Sequence, residues 1–111
     1  MIYEQKDDIR IGDKAGDGAQ LRPFIVWFGE DVPLYETARE KVKEADILIV
    51  IGTSLQVYPA VGLIHEIKDD CLLIVINPNE TEFGYGQRAV VMKETATRGM
   101  KLLFDKLVNL A

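Results

Sequence analysis

Short runs of apolar residues alternate along this chain with segments of helical period. Residues 24–28, FIVWF, form a continuous apolar run that is aromatic and β-branched, follows Pro23 and stops at Gly29; the pattern predicts a buried strand. Pro33 can open a helix, and Leu34, Ala38, Val42 and Ala45 then lie on one stripe, predicting a helix over 34–45. Residues 46–51, DILIVI, read as a strand with both faces covered, as in a parallel sheet. Gly52, Thr53 and Ser54 break that run. A second helix is expected over 59–68, with Ala60, Leu63, Ile64 and Ile67 on one side. Residues 71–76 predict another buried strand, ended by Asn77 and Pro78. A loop over 81–86, a short strand over 88–92 and an amphipathic helix over 97–110 complete the chain; the last helix carries Met100, Leu103, Phe104, Leu107 and Leu110. Residues 1–20 are polar and glycine-rich without a period, and read as an irregular arm.

Helices alternating with solidly apolar strands imply an α/β fold with a mostly parallel sheet, here as a single domain over 1–111. Of the 111 residues, 48% are hydrophobic and 28% charged, enough apolar material for a core in an ordinary soluble composition. The formal net charge of −5 argues against nucleic acid or an anionic membrane as partner, because both require a cationic face. An acidic balance is compatible with basic, lysine-containing substrates, though most cytoplasmic proteins share it. Cys71 is the one cysteine, so the chain has neither an intrachain disulfide nor a cysteine-rich zinc site; a buried thiol in a reducing, cytoplasmic setting is expected. No secretory signal is evident in MIYEQKDDIR, and no apolar run approaches the ~20 residues that span a bilayer.

In an open parallel sheet, ligands bind beyond the carboxyl ends of the strands. The predicted strand ends carry Phe28-Gly29-Glu30, Gly52-Thr53-Ser54 and Asn77-Pro78-Asn79, and parallel pairing would set all of them on one edge. Gly52 would let a ligand approach the backbone while Thr53 and Ser54 offer hydroxyls to phosphate or ribose oxygens; the alternative is a plain strand-to-helix turn. Asn77 can bond a ribose hydroxyl or simply form an Asx-turn before Pro78. Glu30 can hold a cation or a substrate amine, or be a solvated turn carboxylate, and Trp27 and Phe28 can line a pocket or fill a core. His65, the single histidine, lies mid-helix, and no triad, metal cluster or acid–base pair is legible.

Together LRPFIVWFGE at 21–30, ADILIVIGTSLQVYP at 45–59 and VINPN at 75–79 resemble the sirtuins, the NAD-dependent protein lysine deacylases, and KETATRGMKLLFDKL at 93–107 is similar to the family's last turn and helix. The resemblance covers most of residues 11–110 and implies the C-terminal half of a sirtuin large domain, a partial Rossmann-like sheet with flanking helices. It implies that the backbone of Val26, Phe28, Gly29 and Glu30 pairs with an extended acyl-lysine peptide, with Val57 and Tyr58 on the peptide's other side, as in β-strand addition. It implies further that Gly52, Thr53 and Ser54 hold the adenosine side of NAD, that Asn77, Pro78 and Asn79 reach the adenine ribose, and that Ala96 lies against the adenine.

The family's glycine-rich GAGxSxxSGIPDFR segment, its QNxD stretch and its general-base histidine have no counterpart in these residues, and GDKAGDG stands where a cysteine ribbon would enter, as in the zinc-free branch. The deacylation transfers an acyl group from lysine to ADP-ribose and needs an activated ribose hydroxyl. The expectation is a half-site for NAD, without zinc, that is inactive alone. A non-catalytic NAD, ADP-ribose or peptide-binding module is the alternative. A third reading is an interaction protein, a homodimer or a chain completed by a missing N-terminal half, since half of a doubly wound sheet leaves an edge and an apolar face exposed.

Overall fold

A computed structural model describes residues 2–79 and 89–110. The chain forms two compact units, Met1–Val32 and Pro33–Ala111.

The first unit contains loops held by local hydrogen bonds. An antiparallel bridge joins Lys14 to Gln20, and the Leu21 amide donates to the Asp13 carbonyl at 2.8 Å. Gln20 ties the base of this turn, accepting from the Gly12 amide at 2.8 Å and donating to the Arg10 carbonyl at 3.0 Å. The buried strand expected over 24–28 is not formed. These residues are irregular and exposed, Trp27 by 62% and Phe28 by 93%. The backbone bonds are satisfied within the segment: the Ile25 amide donates to the Pro23 carbonyl and the Glu30 amide to the Trp27 carbonyl. Pro23 has no donor to give a ladder, and an apolar run does not by itself distinguish a strand from an exposed loop.

In the second unit, α1 (Tyr35–Glu44) begins with Glu36 in its first turn and ends with Lys41 and Lys43 in its last, charges that suit the helix dipole. Strand β1 (Ile47–Ile51) follows, then a 3-10 helix, η1 (Ala60–Glu66), strand β2 (Leu72–Ile76), strand β3 (Ala89–Met92) and α2 (Ala96–Asn109). The strands form one parallel sheet in the order β1-β2-β3, with Ile49 opposite Ile74 and Val75 opposite Val91. The α/β fold with a parallel sheet is thus as expected. The helix expected over 59–68 is tighter and shorter: the Gly62 amide bonds the Pro59 carbonyl, an i to i+3 closure. Glycine inside this short connection weakens an α-helical alternative. The loop expected over 81–86 lies outside the described residues, as does Arg88.

Register decides which residues share a face. Leu48, Val50, Leu73 and Val75 face η1, where Ile64 and Ile67 pack on them. Ile74, Ile76 and Met92 face α2, where Met100 and Leu103 cover them. Ile47, Ile49 and Ile51 share the α2 face but remain exposed by 47%, 37% and 40%. The expectation that this strand is covered on both faces therefore holds on the η1 side only. The physical reason is position: β1 is the sheet edge, and α2 packs over β2 and β3. Cys71 is buried, as expected. No helix among the described residues is long and apolar enough to cross a membrane.

Candidate functional site

The parallel sheet brings two of the expected motifs together. Gly52 leaves β1 in a left-handed conformation, φ +68°, and nothing lies within 4 Å of where a Cβ would stand. A side chain there would be strained by the backbone and would fill open space at the strand end. The Gly52 amide donates to the Ile76 carbonyl at 2.9 Å, continuing the ladder one rung past β1. Asn77 leaves β2 beside it and is the buried polar residue among those described, 6% exposed. Its Nδ2 donates to the Thr53 carbonyl at 2.9 Å, and its Oδ1 accepts from the Asn79 amide at 3.3 Å. Its own amide donates to the Met92 carbonyl at the end of β3. Asn77 therefore forms the Asx-turn that the sequence allowed and also clamps one strand-end turn to the other.

The remaining expected residues follow the carboxyl ends of the strands. Thr53 Oγ1 accepts from the Leu55 amide at 3.1 Å, and Ser54, Pro78 and Asn79 are exposed. Ala96 opens α2 four residues after β3 ends and is exposed. Sequence reasoning missed Leu55. It holds φ +52°, rare for a residue with a side chain, and packs against the Ile64, Leu73 and Val75 core. No periodic signal marks such a residue; the break after Gly52 was the available hint. The motifs at 52–54 and 77–79 carry neutral hydroxyl, amide and backbone groups. That chemistry suits a hydroxyl-rich ligand such as a ribose, and the side-chain-free approach at Gly52 fits close contact with a nucleotide. Among the described residues no group of three or more His, Cys, Asp or Glu could hold a metal ion.

The residues expected to contact a peptide fall in two places. Val57 and Tyr58 are exposed between β1 and η1 in the second unit, by 53% and 72%. Val26, Phe28, Gly29 and Glu30 belong to the first unit and do not end a strand. The Glu30 side chain is not a free carboxylate: Arg22 donates to it from Nη1 and Nη2, each at 3.0 Å, and the Trp27 amide donates to Oε2 at 2.9 Å. The Arg22 hydrogen bonds first, then the Trp27 amide, hold this carboxyl below its ordinary range, and the Arg22 guanidinium is raised in turn. His65 is exposed on η1, well along the chain from the strand-end turns.

Known proteins share this architecture. A Sir2 homologue solved as an ADP-ribose complex superposes with a TM-score of 0.81 at 32% identity, over 97% of this chain and 45% of that one. A Sir2 protein bound to a propionylated peptide superposes at 0.65 with 26% identity, over 85% of this chain and 41% of that one. Proteins named NAD-dependent protein deacylase are similar in sequence: that of Bacteroides thetaiotaomicron is 46% identical over 96% of this chain, and one from Helicobacter pylori 43% identical over all of it. The chain spans 46% and 47% of the length of these relatives. A family model described as Sir2 family matches residues 3–59, just over half of the chain. With that match, and relatives 46% and 43% identical over nearly all of its length, the chain belongs to the Sir2 family.

Proposed function

We propose that this chain supplies the adenosine-side NAD contacts and the substrate-peptide contacts of an NAD-dependent protein lysine deacylase, and that it does not deacylate alone. The observation that carries the reading is the clamp between the two strand-end turns, Asn77 Nδ2 to the Thr53 carbonyl at 2.9 Å. It ties the Gly52-Thr53-Ser54 turn to the Asn77-Pro78-Asn79 turn, which together would form the ligand surface, with Ala96 following β3 at the start of α2. The dinucleotide, when bound, supplies the electrophilic ribose to which the acyl group moves. This chain's residues would bind and orient its adenosine end. Val26, Phe28, Gly29 and Glu30 in the first unit, and separately Val57 and Tyr58 in the second, would each offer backbone groups to an acyl-lysine peptide, in keeping with the peptide-bound neighbour. The relatives' names and the ADP-ribose neighbour support NAD as the ligand class.

Calorimetric titration with NAD and ADP-ribose tests this. Binding in the micromolar to low-millimolar range, lost in Ser54→Ala, is the expected result. Half a set of contacts gives far less than half the affinity, because immobilising the ligand costs the same. No heat at millimolar ligand would overturn the NAD assignment for the chain alone. A second reading has its own observation: Ile47, Ile49 and Ile51 are exposed on the α2 face. It is an interaction role in which a second copy, or the remaining half of such an enzyme, covers that face.

A further inference from the structure

The segment 22–30 is the most exposed apolar stretch of the first unit, yet it has a defined shape. Phe24, Ile25, Val26, Trp27 and Phe28 are all more than 40% exposed, so packing does not fix them. The polar contacts do. Arg22 Nη1 and Nη2 each lie 3.0 Å from a different oxygen of Glu30, a forked pair. The same Nη2 donates to the Ile25 carbonyl at 3.1 Å, and the Trp27 amide donates to Glu30 Oε2 at 2.9 Å. One ion pair thus reaches across eight residues and fastens the backbone at two points between its members. An exposed ion pair by itself contributes little to stability, so the worth of this one lies in the shape it imposes. Gly29, at φ +87°, makes the return possible, and nothing lies within 4 Å of its missing Cβ.

We propose that Arg22 and Glu30 are positioning residues for substrate peptide: their forked pair fastens the Ile25 carbonyl and the Trp27 amide, holding Val26, Phe28 and Gly29 in shape before a peptide arrives. This deepens, and rests on, the peptide-binding role proposed above. A loop held in advance loses less freedom on binding, so affinity depends on the clasp even though neither side chain need touch the peptide. It also removes Glu30 as a direct partner for a substrate amine, because its oxygens are already engaged.

Trp27 is the single tryptophan and sits inside the clasp, so its emission reports on the loop directly. The experiment uses the full chain, with Glu30→Gln, Arg22→Lys and the exchanged pair Arg22→Glu/Glu30→Arg. It reads Trp27 emission anisotropy, exchange of the Trp27 amide hydrogen, far-ultraviolet circular dichroism and binding of a fluorescein-labelled acetyl-lysine peptide. Both single variants should lower the anisotropy and speed Trp27 amide exchange about tenfold, while the dichroism is unchanged. Peptide affinity should fall about tenfold with them. The exchanged pair restores the attraction but moves the donor to position 30 and the acceptor to position 22, away from the places that serve the Ile25 carbonyl and the Trp27 amide, and it should stay loose. Unchanged Trp27 signals in the single variants, or full recovery in the exchanged pair, would overturn the clasp. Loosened Trp27 signals with no peptide binding by any form, wild type included, would support the clasp as a shaping device and overturn the peptide role on which it was built.

Discussion

Gly99 stands one turn into α2, and a Cβ there would overlap Ile76 Cγ2. Two effects oppose each other at this position. Alanine is favoured over glycine in a helix by about 1 kcal/mol, whereas forcing a methyl into a packed core costs about 1–3 kcal/mol. Ile76 is fully buried on the central strand and cannot retreat. Gly99→Ala is therefore expected to destabilise the chain by up to about 2 kcal/mol net, read by urea denaturation. Combined with Ile76→Ala, the loss should be less than additive. Nothing in the sequence marks Gly99 as a contact, because its neighbour is 23 residues away on another element. Asn77 is a similar case from the opposite side. Its place at a strand end made it a candidate by inspection, and the Asx-turn was foreseeable. The bond to the Thr53 carbonyl, 24 residues earlier, exists only because β1 and β2 pair in register.

At the scale of elements, the period of apolar residues located α1, β1, β2, β3 and α2 to within a residue or two, because each buries one stripe or one face. It misassigned 24–28, where the apolar side chains are exposed and local bonds shape the backbone. It also overstated 59–68, where an α-helical stripe is carried by a 3-10 segment. That segment is joined to α1 by charge: Glu66 lies 3.1 Å from Arg39 Nε and 3.4 Å from Lys43 Nζ. Partial burial pushes the Glu66 carboxyl up, but Arg39 and then Lys43 more than offset this and leave it lowered. A carboxyl lowered on folding stabilises the fold above its unfolded pKa, and that contribution disappears as pH falls through the folded value. Acid below the ordinary carboxylate range should thus loosen α1 from η1. Glu66→Gln should lower the melting temperature at neutral pH and flatten its fall on acidification. Equal melting temperatures for the two proteins at neutral pH would contradict the bridge.

Over the whole molecule, β2 is the hub, with Leu73, Ile74, Val75 and Ile76 all buried, while Ile47, Ile49 and Ile51 of β1 remain open to solvent. The sequence made the α/β order plain and hinted at an exposed edge, since alternation of helices and apolar runs is a whole-chain signal. The one-sided exposure of β1 was not legible, because DILIVI reads alike whether one face or two are covered. An uncovered apolar edge favours association. Purified chain is expected to show concentration-dependent association by light scattering, and Ile49→Lys should shift it toward monomer with the dichroism preserved. A monodisperse wild-type monomer at high concentration would refute this. The placement of the strand-end turns has a thermodynamic corollary. Their fastenings, Gly52 to Ile76 and Asn77 to Met92, are continuations of the ladder itself. The turns at Gly52 and Asn77 are therefore coupled to the sheet, and a nucleotide bound there, as proposed, would be linked to the global unfolding equilibrium, slowing amide exchange deep in β2 as well as at the turns.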